Sequence, residues 1–219
     1  MKKTNMAYRL LAGVSITFIL YSLARHYVFD PEATAFLSHK MGLGRELNLP
    51  AWLKVMYIHV AFACLAMAAG LINFSRRMLE KQRKFHRING YIYVVSVLMV
   101  VLTSGYMAPY STGGRINSIA FNIINLIWPI MTVTAVVQIK KKRIVKHRNW
   151  MIRSYAFCFT NMLIHLITWL FNEGLGMAYA SSYTYGVYGS LVLLLIIPET
   201  IIRILDKTGS DKTIGTYES

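Results

Sequence analysis

Acidic residues are scarce in this chain: nine Asp and Glu stand against 24 Lys and Arg in 219 residues, for a formal net charge of +15. No acid falls near the middle of any apolar run. A proton-coupled transporter ordinarily needs such a group at the membrane midplane, so that class loses its usual signature. Cysteine is scarcer still. Cys64 and Cys158 are the two present, both inside apolar runs and neither in a C-x-x-C or C-x-x-C-H spacing. Thioredoxin-like redox chemistry and covalent haem attachment therefore lack their motifs, and two buried thiols acting as small hydrophobes suffice. There is no H-E-x-x-H, no P-loop and no G-x-S-x-G, so no catalytic residue is nominated. Whether the chain is an enzyme stays open, with a haem-b membrane oxidoreductase as the one enzymatic class in view.

What is abundant is apolar surface: 55% of residues are hydrophobic and 15% charged. The basic residues cluster between apolar runs of about 20 residues, a pattern of membrane topology rather than of nucleic-acid binding. Six stretches are long enough to span, near 8–28, 51–73, 88–109, 116–138, 150–172 and 183–204. No period-2 alternation suggests a barrel, and helices are the other way to satisfy backbone groups in hydrocarbon. The fold class expected is all-α: a polytopic integral membrane helix bundle. It reads as one domain over 1–206, with a short disordered cytoplasmic tail over 207–219. The first run, with Lys2, Lys3 and Arg9 before it and Ala33-Thr34-Ala35 after, has some features of a signal peptide. Arg25, His26, Asp30, Pro31 and Glu32 separate that small-residue site from the apolar core, which favours an uncleaved helix. Trp128-Pro129 in the fourth span predicts a kink.

Lysine and arginine set the orientation. The N-terminal tail carries Lys2, Lys3 and Arg9; the second-to-third connection carries Arg76, Arg77, Lys81, Arg83, Lys84 and Arg87. The fourth-to-fifth carries Lys140, Lys141, Lys142, Arg143, Lys146 and Arg148, with Arg153 just beyond, and Arg203, Lys207 and Lys212 lie at the far end. Arg25, Lys40, Arg45, Lys54 and Arg115 are left for the opposite side. The positive-inside rule places both termini in the cytoplasm, and the expected location is the bacterial cytoplasmic membrane.

Helical spacing collects polar groups on single faces. On the fifth span, His147, Met151, Ser154, Cys158, Asn161, His165, Thr168 and Asn172 advance by threes and fours, a stripe expected to point into the bundle. The fourth span has Ser118, Asn122, Asn125, Pro129 and Thr132, and the second has His59, Ala66, Gly70 and Asn73. Two readings stand: interhelical glue, or a polar cavity lined by Asn122, Asn125, Ser154 and Asn161. The cavity reading would suit a small-solute transporter.

Four of the six histidines fall in two layers. His59 lies about 12 Å from the outer end of the second span, and His165 about 10 Å from that of the fifth. His86 and His147 stand at the cytoplasmic mouths, each directly before an arginine. His26 and His39 read as solvated loop residues. Paired layers are what a b-type di-haem protein needs, with His59 and His165 as one axial pair and His86 and His147 as the other. For the inner pair, His86 and His147, the stronger reading is that a His-Arg step at a membrane surface, next to Tyr or Trp, holds phosphate headgroups of anionic lipid. No metal other than haem iron is suggested. Glu199, one turn before Arg203, reads as half of an intrahelical ion pair.

The stretch His59, Gly70, His86-Arg87-x-x-Gly90-x-x-Tyr93 and His147-Arg148-x-Trp150-Met151-x-Arg153-Ser154-Tyr155 resembles an uncharacterised bacterial family of multi-pass membrane proteins, the domain of unknown function 2306. The resemblance covers the second to fifth spans and implies a topology without an activity. In that family an arginine usually stands late in the fifth span, where this chain has His165. The resemblance therefore favours the inner group, His86, Arg87, His147, Arg148 and Arg153, as the site. The leading expectation is a membrane protein binding an anionic lipid headgroup or a small anionic ligand there. A b-haem electron carrier is the alternative and a small-solute transporter the second.

Overall fold

The computed structural model describes residues 2–38 and 47–207, and every regular element among them is helical. In chain order these are α1 (Lys2–Ala24), prolonged by a π-helical turn (Arg25–Phe29), and the one-turn α2 (Thr34–Leu37). Then come α3 (Leu49–Asn73), the short α4 (Arg76–Lys81) and α5 (Arg83–Met107). They are followed by α6 (Arg115–Lys140), α7 (Ile144–Ala156), α8 (Thr160–Trp169) and α9 (Tyr179–Lys207). Six helical stretches are long and apolar enough to cross a membrane: Met6–Phe29, Leu49–Asn73, Arg83–Tyr110, Arg115–Lys140, Ile144–Gly174 and Tyr179–Lys207. The protein is an integral, multi-pass membrane protein. Each helix exceeds the apolar run that predicted it, because the backbone stays hydrogen-bonded to itself until it clears the headgroup region. His39, Lys40, Arg45 and the tail from residue 208 lie outside the described residues.

Within the stretch read from sequence as one domain, the chain forms two compact units, Met1–Gly114 and Arg115–Ser219. In the first, α1 and α3 run antiparallel: Tyr8 Oη donates to the Leu71 carbonyl (3.4 Å) at one end, and Tyr27 Oη donates to the Tyr57 carbonyl (2.6 Å) at the other. Asn48 opens α3 by accepting from the Ala51 amide, with Pro50 in the first turn where its missing N–H costs nothing. Trp52, Met56, Val60 and Ala33 form a buried cluster at the entrance of α3, so the segment after α1 is packed against the bundle. His59 Nδ1 lies 2.9 Å from Thr103 Oγ1, joining α3 to α5.

In the second unit, α6 lies antiparallel to α7, and α7–α8 lies antiparallel to α9. Lys142 takes the left-handed conformation (φ 59°) in the tight turn before α7. Thr132 on α6 and Ser154 on α7 share a buried hydroxyl–hydroxyl bond of 2.7 Å. Asn117 Nδ2 donates to Thr184 Oγ1 (3.1 Å), and Tyr188 Oη donates to the Ile116 carbonyl (2.9 Å), joining the first turns of α6 to α9, which runs parallel to it because both are antiparallel to α7. The helix continues through Pro129, whose missing N–H leaves the Asn125 carbonyl without its intrahelical donor.

The fifth span is not one α-helix. A 3-10 turn (Phe157–Phe159) separates α7 from α8. Three residues at about 120° each, against about 100° in an α-helix, rotate the following face by some 60°. The polar stripe expected along this span is therefore interrupted. Ser154 and Thr168 are buried, whereas Asn161 and His165 are exposed.

Candidate functional site: two basic elbows

Both elbows place their histidine at the fourth residue of a helix. α5 begins at Arg83 and the His86 amide donates to the Gln82 carbonyl; α7 begins at Ile144 and the His147 amide donates to the Arg143 carbonyl, each at 2.9 Å. In neither helix does the N-cap residue supply a side-chain hydrogen bond, and neither first turn holds an acid. The first-turn N–H groups and the positive end of the dipole thus share each helix start with cations and with no acid of that first turn. At the first elbow Arg83, Lys84 and Arg87 are exposed and His86 is half-buried.

What holds each elbow in place differs. In the first unit, buried Asn89 sits one turn beyond His86 and donates Nδ2 to the Ala69 carbonyl (2.7 Å) and to Asn73 Oδ1 (2.8 Å). This pins the start of α5 to the end of α3. In the second unit the histidine is the pin: His147 Nδ1 lies 2.8 Å from the Ala135 carbonyl on α6. A carbonyl only accepts, so Nδ1 carries the proton and Nε2 the lone pair.

The sequence-derived candidates separate on this basis. His86 and Arg87 belong to the first unit, His147, Arg148 and Arg153 to the second. Arg153 is held by Glu199 on α9 through Nε and Nη2, the latter at 3.1 Å, with its guanidinium 4.7 Å from the centre of the Trp150 ring. The expected Glu199–Arg203 pair is thereby corrected. The planar fork of Arg153 reaches both carboxylate oxygens across two helices, a geometry that the neighbour one turn away does not supply. Arg148 binds Asn149 Oδ1 (3.2 Å and 3.1 Å) and Asp206 Oδ1 (3.4 Å). These two arginines lace α7 to α9, whereas Arg87 makes no ion pair among the described residues.

Of the cavity candidates, Ser154 is buried against Thr132, Asn125 is half-buried, and Asn122 and Asn161 are exposed. Among the described residues, Asn125 Nδ2 and Trp128 Nε1 are buried donors without an acceptor on the face of α6 around Pro129. Of the outer-layer candidates, His59 is half-buried between α3 and α5 and His165 is exposed on α8. Sequence reasoning passed over His26. The π turn keeps it inside the first span, half-buried, with Nδ1 2.9 Å from the Ser22 carbonyl. The spacing of Ser15, Ser22 and His26, seven and then four, puts it on the face of the two buried serines and was available from the sequence.

No curated protein and no solved structure matches the chain. A family model described as predicted membrane protein matches residues 56–202, from within α3 to near the end of α9, and takes in both elbows. With most of its length so matched, the chain belongs to that family of predicted membrane proteins, DUF2306.

Proposed function

We propose that the two elbows hold anionic phospholipid headgroups at the cytoplasmic surface of a bacterial inner membrane. The observation that carries this reading is the uncapped, acid-free and cation-rich start of both α5 and α7. An N-terminus of that kind is unfavourable by itself, since its dipole and its side chains carry the same sign. A phosphate group answers both, accepting from the orphan amides and pairing with the cations. Such groups lie where the positive-inside rule puts these elbows, and Tyr91 and Trp150 beside them suit the same boundary. The first elbow is the stronger of the two, because Arg148 and Arg153 already serve carboxylates on α9.

The reading is tested on the full chain purified in mild detergent, with co-purifying lipids counted by class. Each juxtamembrane cation contributes about 1 kcal/mol toward an anionic surface. Replacing Arg83 and Arg87 together by Ala should therefore weaken retention at that elbow about thirtyfold. A clear fall in anionic lipid with zwitterionic lipid unchanged is expected. Equal anionic content in variant and parent would overturn the assignment.

A further inference from the structure

We propose that the second unit hinges across one level of its helices and takes up water there. At that level each helix path is interrupted. Pro129 lies inside α6 and Pro198 inside α9, and each removes the donor that the carbonyl four residues earlier would have met. The path of α7 into α8 is broken by the 3-10 turn Phe157–Phe159. Thr132 on Ser154 fixes the antiparallel register of α6 and α7, which sets residue 129 opposite residue 157. The contact is direct, for the Trp128 ring stacks on that of Phe157 with centroids 6.2 Å apart. Arg153 on Glu199 likewise brings Pro198 within about one helical turn of the 3-10 turn.

Two buried donors stand at the same level. Among the described residues, Asn125 Nδ2 and Trp128 Nε1 have no acceptor, and neither atom is open to water. Three residues apart on α6, they share the face of the helix beside Pro129. Trp128 is 5% exposed, so its indole N–H has given up solvent without gaining a partner. A stranded donor costs the closed state its full desolvation penalty. Water admitted by a small parting of the helices recovers that penalty at both groups, and the carbonyl freed at Asn125 offers such a water a further partner. The closed packing thus carries a cost that opening relieves, the condition for a second populated arrangement.

Contacts on either side of the level are firm, which confines the parting to it. On one side His147 Nδ1 donates to the Ala135 carbonyl (2.8 Å), and Arg153 grips Glu199 on α9. On the other, Ala120, Ile164, Tyr183 and Val187 pack as one buried cluster of α6, α8 and α9, and Asn117 donates to Thr184 (3.1 Å). A 3-10 stretch within a helix and a proline are the places where a helix yields. Irregular backbone at membrane depth is tolerated where it is buried in protein or lines a water-filled cavity, and this hinge alternates between the two.

The test is hydrogen–deuterium exchange of the full chain in phosphatidylcholine vesicles, read by mass spectrometry. Peptides covering 125–131, 155–161 and 194–200 should exchange faster than 116–122 and 184–190, which flank the level on α6 and α9. Pro129→Ala and Pro198→Ala each return a ladder hydrogen bond and should slow exchange at the level about fivefold. Asn125→Leu, which removes one stranded donor and leaves both prolines, should slow it as well. Cys158 lies half-buried in the 3-10 turn and reports water directly. In a Cys64→Ser background a water-soluble maleimide should modify it, and more slowly once Pro129→Ala is added. Protection at the level equal to that of the flanks would overturn the proposal. So would exchange left unchanged by Pro129→Ala, Pro198→Ala and Asn125→Leu alike, or a Cys158 that takes no label.

Discussion

Gly186→Val is expected to destabilise the second unit by about 3 kcal/mol, and Gly186→Ala by somewhat less, as overpacking of a tight helix contact does. A Cβ placed on Gly186 would lie 2.5 Å from Thr168 Oγ1 and 2.8 Å from the Ile164 carbonyl. The hydroxyl cannot simply turn away, because it donates to that same carbonyl at 2.7 Å. The carbonyl belongs to the backbone of α8, so relief requires α8 and α9 to separate. Ser182, Gly186 and Ser190, all buried, form a small-residue stripe at four-residue intervals that permits this approach. Gly189 supplies the control. Its added Cβ would meet the end of the Ile167 side chain at 3.2 Å, which can rotate. Thermal unfolding in detergent should show Gly189→Ala close to the parent and Gly186→Ala well below it. Equal stability of the two variants would mean that α8 and α9 do not meet at Gly186.

Asn89→Leu should cost about 1–3 kcal/mol, the range for leaving a buried polar partner unsatisfied. It removes both bonds from the Asn89 amide and strands Asn73 Oδ1 between α3 and α5. Asn73→Leu should be destabilising for the reciprocal reason. Leucine at both positions leaves an apolar contact with no stranded group, so the double variant should lose less than the singles together. Interhelical hydrogen bonds in membranes couple by about 0.6 kcal/mol on average and up to about 1.7 kcal/mol. A double-mutant cycle should return a value in that range, and strict additivity would contradict the buried pair. Because this pair sets the start of α5, the single variants should also loosen the first elbow and lower lipid retention there.

The six spans were legible because hydrocarbon leaves the backbone few choices, and runs of about 20 apolar residues announce the one taken. Their ends were less so. α5 begins at Arg83 rather than near 88, and α7 at Ile144 rather than near 150, since basic side chains let a helix continue through the interface. His86 and His147 thereby belong to the first turns of helices rather than to the loops before them. The 3-10 turn at Phe157–Phe159 had no signal, for no glycine or proline marks it, and the polar stripe drawn through it ran off its face. The partner of Glu199 was also beyond reach. Sequence spacing favoured Arg203, whereas packing of α7 on α9 supplied Arg153. His26 was set aside by its position after the apolar core, although its register with Ser15 and Ser22 already placed it on an inward face. Local chemistry was thus readable where it followed helical period, and unreadable where two helices had to meet first.

The most direct test of the headgroup reading is native mass spectrometry of the delipidated protein, titrated with phosphatidylglycerol or phosphatidylcholine of matched chains. The parent should bind the anionic lipid at least about tenfold more tightly. Arg83→Ala with Arg87→Ala should remove most of that preference while leaving the zwitterionic lipid as it was, as expected of about 1 kcal/mol per cation. Equal affinity of the parent for the two lipids, or a preference untouched by the double substitution, would contradict it.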